Sequence, residues 1–105
     1  MDNAKKYEVI ISDTAKHMLV SHSVFLANVS LDAADRLIED FYQTALSLRE
    51  FPNRCPWFSG VNIPPCHFRY IMFGNRYCLL YKIEENKVYV DYCLDCRQDY
   101  TWLMQ

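Results

Sequence analysis

The sequence predicts an α+β fold: an N-terminal strand, an antiparallel helical hairpin, and a mainly antiparallel four-stranded sheet, in the order β-α-α-β-β-β. The first observation behind this is three short apolar runs in the last third of the chain, 68–73, 77–83 and 88–94, rich in β-branched and aromatic residues. The second is the turn chemistry between them, Gly74-Asn75 and then Glu84-Glu85-Asn86, which reads as an antiparallel meander. The third is the middle of the chain, where two stretches carry helix-starting residues and apolar positions at helical spacing.

Taken in order, Tyr7-Glu8-Val9-Ile10-Ile11 predicts a short strand that stops at Ser12-Asp13-Thr14. Those side chains have oxygens that accept from the free N–H groups of a first helical turn, so a helix is expected from about Thr14 to Asn28. Its apolar positions are Ala15, Met18, Leu19, Phe25 and Leu26, and the segment Val20 to Val24 fits the period less well. Ser30 is a second cap, with Asp32 in the first turn, where a negative charge favours the helix dipole. The second helix has the stronger pattern: Leu31, Ala34, Leu37, Ile38, Phe41, Tyr42, Ala45 and Leu48 recur at three and four residues. Asp35, Arg36, Glu39, Asp40 and Gln43 take its other face, and Pro52 is expected to end it.

The short link Val29-Ser30 makes the helices an antiparallel hairpin that covers one face of the sheet. The other face is expected to stay partly open, with Arg and Tyr side chains on it. Residues 52–66 form a loop with four prolines, pinned to the body by Trp57 and Phe58. Gly74-Asn75 predicts a two-residue tight turn with positive φ values. Asp95 to Gln105 reads as a short tail with one helical turn near Tyr100-Trp102-Leu103.

Residues 1–105 are expected to be one domain, with 51% hydrophobic residues to build its core. The net charge is -2 and the pI about 5.8. Nucleic-acid affinity comes largely from neutralising phosphates, so direct sequence-specific nucleic-acid binding by this chain alone is not expected, and protein partners are favoured. Residues 1–6 show no signal-peptide pattern, and no apolar run approaches the roughly 20 residues that span a bilayer. The expectation is therefore a cytoplasmic chain with no membrane partner, whose five cysteines are thiols.

The arginines of the meander, Arg69, Arg76 and Arg97, are either working cations or structural partners for Asp91, Asp95 and Glu8. Tyr77, Tyr81 and Tyr92 read as sheet packing. Cys93-Leu94-Asp95-Cys96 is a CxxC, with Cys55 and Cys66-His67 elsewhere, but a single pair without regular partner spacing does not make a zinc site. No metal and no cofactor are expected. His17 and His22 read as surface residues of the first helix, and His67, beside Arg69, is the histidine placed to act as an acid or base.

These residues together resemble the RelE/ParE superfamily, the toxin half of bacterial type II toxin–antitoxin modules, which includes proteins named for plasmid stabilisation. The resemblance covers nearly the whole chain: Tyr7-Glu8-Val9-Ile10-Ile11-Ser12 with Ala15; Ala33-Ala34 and Leu37-Ile38; Ala45-Leu46-Ser47-Leu48 followed by Phe51-Pro52; Phe68-Arg69-Tyr70 with Phe73; Tyr77-Cys78-Leu79-Leu80-Tyr81-Lys82-Ile83; Val88-Tyr89-Val90; and Arg97-Gln98-Asp99-Tyr100. It implies a growth-inhibiting toxin neutralised by a small cognate antitoxin that wraps around it. RelE-like members cut mRNA on the ribosome, and ParE-like members inhibit DNA gyrase.

The resemblance implies candidate catalytic residues Arg69, Arg97 and Tyr100, and target-binding residues Arg69, Arg76, Arg97 and Tyr100. The third-strand position where the ribonucleases carry an arginine is held by Cys78, with Arg76 two residues earlier. RNA cleavage needs a base for the ribose 2′-OH and cations for the crowded phosphate. That departure and the acidic pI favour the ParE-like reading, gyrase inhibition, over the RelE-like one. An inactive family member that only binds its partner is the third possibility.

Overall fold

A computed structural model describes residues 6–59 and 64–96. The elements are β1 (Glu8–Ile11), α1 (Asp13–Ala27), α2 (Leu31–Ser47), a 3₁₀ turn (Pro52–Arg54), β2 (Arg69–Phe73), β3 (Tyr77–Glu84) and β4 (Lys87–Asp95). They form a four-stranded sheet in the order β1-β4-β3-β2. The pairs β2–β3 and β3–β4 are antiparallel, and β1 runs parallel to β4, so the sheet is mixed but mainly antiparallel. The α+β order expected from the sequence is the one observed.

Both helix starts follow the capping chemistry. Ser12 Oγ accepts from Ala15 N at 3.0 Å, and Ser30 Oγ accepts from Ala33 N at 3.2 Å. Ser12 does more: its hydroxyl donates to Asp91 O at 3.0 Å. Asp91 is the extra residue of a β-bulge, since Leu80 faces Tyr92 while Tyr81 faces Val90. The bulge frees a carbonyl, and that carbonyl fixes the start of α1 to β4.

The sequence reading needs correcting at three places. The second helix ends at Ser47, not at Pro52. Its last turn tightens through Leu48 N to Ala45 O and Arg49 N to Leu46 O, and Phe51 takes a left-handed φ of 51°. The Arg54 guanidinium, reaching back, donates to Glu50 O at 2.6 Å and Phe51 O at 3.2 Å, so a cation satisfies carbonyls beyond the helix end. Pro52 opens the 3₁₀ turn instead, where its missing N–H costs nothing.

The β2–β3 connection is also longer than expected. Phe73 pairs with Tyr77, so three residues, Gly74, Asn75 and Arg76, make the turn. The positive φ values are present, 59° at Gly74 and 71° at Asn75.

The third correction concerns α1. Its buried residues are Ala15, Leu19, His22 and Ser23, while Val20, Val24 and Phe25 are exposed. The inward stripe follows helical spacing from Ala15, but half of it is polar, which is why the apolar period looks weak there. His22 is therefore inside rather than on the surface. Its Nε2 lies 3.1 Å from Cys93 O, and its ring packs 5.6 Å from that of Tyr77.

Strand alternation divides the sheet residues between two faces. Tyr77, Leu79, Tyr81, Val88, Val90 and Cys93 turn toward the helices and meet Ala15, Leu19, Leu37, Phe41, Ala45 and Leu48 in the main core. Tyr81 is fully buried, and its hydroxyl donates to Pro52 O at 2.5 Å, tying the central strand to the 3₁₀ turn. On the opposite face Cys78, Leu80 and Leu94 pack with Phe58 from the proline-rich loop and Phe68 just before β2. That face, expected to be partly open, thus carries a second apolar cluster.

Candidate functional site

The β2–β3 turn delivers Arg76 to a cleft between the sheet and α2. Asp95 faces Tyr77 across β3–β4 and so turns inward with it. A buried carboxylate is expensive unless paired, and Arg76 supplies the charge: its Nη2 lies 2.8 Å from Asp95 Oδ2, with the Asp95 side chain 1% exposed. The hydrogen bond to Asp95 raises the Arg76 pKa. The guanidinium also sits 5.2 Å over the Tyr77 ring.

Burial pushes the Tyr77 phenol up, with Arg76 pulling the other way. Two buried donors here, Arg76 Nε and Tyr77 OH, have no hydrogen-bond partner. Both residues line a cleft of about 280 Å³, whose helical wall carries Ala33, Arg36, Leu37 and Asp40.

Arg69 lies at the other end of β2, roughly 15 Å away at the rise of an extended strand. Its guanidinium stacks 3.9 Å over the Trp57 ring, and its Nη1 donates to Cys55 O at 2.5 Å. The proline-rich loop reaches it because it pairs with the edge of β2, through Phe58 N to Phe68 O at 2.7 Å and Tyr70 N to Pro56 O at 3.1 Å. Trp57 therefore holds the cation in one orientation while remaining 45% exposed itself.

Arg69 and Arg76 do not meet in one cluster. Arg97 and Tyr100, and the helical turn expected near Tyr100, lie outside the described residues. Cys96 N donates to Arg76 O at 2.7 Å, which joins the end of β4 to the β2–β3 turn.

A second cleft, about 250 Å³, opens on the face away from the helices and is lined by Trp57, Phe58, Ser59, Tyr70, Met72, Cys78 and Cys96. Cys78 is 1% exposed and belongs to the apolar cluster of that face. None of the described lining residues is a cation. Lys82, farther along β3, is 3.6 Å from Asp91. His67 is exposed and edge-on to Phe68 at 4.5 Å.

The CxxC does not converge. Cys93 lies in the main core and Cys96 packs against the cluster of the opposite face, as residues three apart on an extended chain must. Among the described residues no group of three or more His, Cys, Asp or Glu is placed to hold a metal ion. No described helix is long and apolar enough to cross a membrane.

Sequence reasoning offered Asp95 as a structural partner for an arginine, which the Arg76–Asp95 pair is, but missed that Asp95 and His22 turn inward. For Asp95 a signal existed. It stands two residues after Cys93 in a strand with alternating faces, which puts it on the core side with Arg76 as the nearest cation.

No family model matches the chain, and no curated protein matches it. The fold, however, is similar to that of a chain in the chromosomal ParDE TA system from P. aeruginosa, with a TM-score of 0.69 at 8% sequence identity. The likeness covers 88% of this chain and 98% of that one. At that identity it is a likeness of fold.

Proposed function

We propose that this chain is the toxin of a type II toxin–antitoxin module, neutralised by a small cognate antitoxin and acting as an inhibitor of DNA gyrase. The observation that carries the reading is the fold shared with a ParDE chain over 98% of that chain's length. The gyrase target, rather than the ribosome and mRNA, is supported by the second cleft. Where a ribonuclease of this type needs a cation to stabilise a phosphate, this chain has buried Cys78 among aromatic and thioether side chains.

Arg69, Arg76, Arg97 and Tyr100 are the target-binding residues in this reading. Arg69 is the best prepared of them, since stacking on Trp57 removes rotamer freedom before the target arrives. Arg76 is held by Asp95 and so presents a fixed rather than a searching cation. The proposed setting is the cytoplasm, where the chain would arrest growth.

Induced expression in a bacterial host tests the module. The expected result is growth arrest, relieved when the small reading frame beside this gene is co-expressed. Unimpeded growth at high expression, with no binding to the product of a neighbouring gene, contradicts the toxin reading.

A further inference from the structure

We propose that the outer face of the α1–α2 hairpin is the contact between two copies of this chain. A twofold axis crosses the helices near Val20 and Ile38 and sets Lys16 of each copy against the partner's Asp35. The inference goes beyond the toxin reading and does not depend on it.

The first support is apolar surface gathered in one place. Val20 and Val24 stand one turn apart on α1, and Leu31, Ile38 and Tyr42 recur at seven and four residues on α2. They are 56, 59, 71, 38 and 41% exposed. The buried stripes of the two helices, through Leu19 and Phe41, meet the sheet, so this set flanks the seam between the helices on the side away from it. From Met18 to Leu31 the sequence holds no Asp, Glu, Lys or Arg. Single bare apolar residues are ordinary, whereas a contiguous set marks an interaction surface.

The face has the size of an interface. Helices of 15 and 17 residues are about 25 Å long, and side by side about 20 Å wide. That is about 500 Å² in projection, and the relief of the side chains brings it toward the roughly 800 Å² per partner of a standard interface. A single helix laid along the seam, about 10 Å across, would cover half of that width. A second hairpin covers all of it.

Charge selects a second copy as the occupant. Lys16 and Asp35 are both exposed, and neither makes an ion pair among the described residues. Counted back from the link between the helices, they lie roughly 10 Å apart along the hairpin, too far to pair within one chain. The seam is thus positive toward one end, at Lys16, and negative toward the other, at Asp32 and Asp35. A twofold axis through its middle exchanges the ends, so each copy supplies the charge that the other needs. Val20 and Ile38, at the axis, meet their own images and need no charge. Asp13, at the start of α1, lies at the rim, where exposed charges count for little.

The test is analytical ultracentrifugation of the full chain at low ionic strength, where exposed charges are least screened. The wild-type chain is expected to sediment at twice its 12.5 kDa mass in the micromolar range. Lys16→Glu and Asp35→Lys each place two like-charge contacts across the axis, and each is expected to weaken self-association by about tenfold or more. An equal mixture of these two variants is expected to recover it, because both contacts across the axis are then between opposite charges. Val20→Lys, at an exposed position that leaves the core intact, is expected to abolish association. Glu85→Lys, on the β3–β4 turn, makes the same change of charge as Asp35→Lys and should alter nothing.

A wild-type chain that keeps the mass of one chain at every concentration overturns the proposal and leaves the face to a partner of another sequence. A dimer that Val20→Lys, Lys16→Glu and Asp35→Lys all leave intact lies on another face and overturns it too. A mixture that associates no more tightly than its components overturns the twofold pairing. None of these readings uses growth arrest or gyrase, so the contact and the toxin reading can fail separately.

Discussion

Two tyrosines on the same strand face separate what a hydroxyl does from what a ring does. Tyr77 and Tyr81 are both buried in the main core, but only Tyr81 has a partner for its OH, the carbonyl of Pro52. Removing a hydroxyl that is already unpaired removes a cost, while removing a paired one strands an acceptor. Tyr77→Phe is therefore expected to leave stability unchanged or raise it by up to about 1 kcal/mol, and Tyr81→Phe to lower it by about 1–3 kcal/mol. Urea unfolding of the two variants reads the difference, and equal losses contradict the assignment. Arg69 and Arg76 differ in a parallel way. Replacing Arg76 removes an ion-pair partner from a buried carboxylate, whereas Arg69 can be replaced without touching a buried charge, which makes it the cleaner probe of target binding.

At the scale of elements, capping separates α1 from α2. Ser30 makes one cap bond, but Ser12 caps α1 and also donates to the bulge carbonyl of Asp91. Ser30→Ala should cost about 1 kcal/mol and Ser12→Ala about twice that, because its loss also leaves the Asp91 carbonyl unbonded. Thermal melts of both variants check the order, and a Ser30 effect equal to or larger than that of Ser12 contradicts the tie between helix and bulge.

Elements were legible in the sequence wherever their pattern is local. The caps, the period of α2 and the three β runs are all written in neighbouring residues. The end of α2 was not, because it depends on the Arg54 side chain returning to Glu50 and Phe51 rather than on Pro52. The inward face of α1 was hidden because His22 and Ser23 fill core positions. Arg69 was legible as a cation of interest, but its clamp was not: Trp57 reaches it only through pairing of the loop with the β2 edge.

The whole molecule should show its buried phenols in its response to alkali. Burial raises the pKa of Tyr81, and likewise that of Tyr77, above the ordinary value of 10.0. A raised folded pKa means that the unfolded chain releases its proton first. The stability these groups contribute is thus fully present below pH 10 and is lost as pH rises beyond it, by up to about 1.4 kcal/mol per pH unit for each. Melting temperature should hold steady between about pH 7 and 9 and fall above 10, with a shallower fall in Tyr81→Phe. A slope unchanged by that substitution contradicts burial of its phenol.

The proposed action on gyrase rather than mRNA is supported by the stacked Arg69 and by a cleft at Cys78 with no cation among its described residues. A supercoiling assay with purified gyrase tests it most directly, run beside translating ribosomes carrying a labelled mRNA. The chain is expected to block supercoiling, Arg69→Ala to weaken the block by about tenfold while remaining folded, as loss of an anchoring arginine does at an interface, and the mRNA to stay intact. Cut mRNA with supercoiling untouched, and cutting abolished by Arg69→Ala, would contradict it.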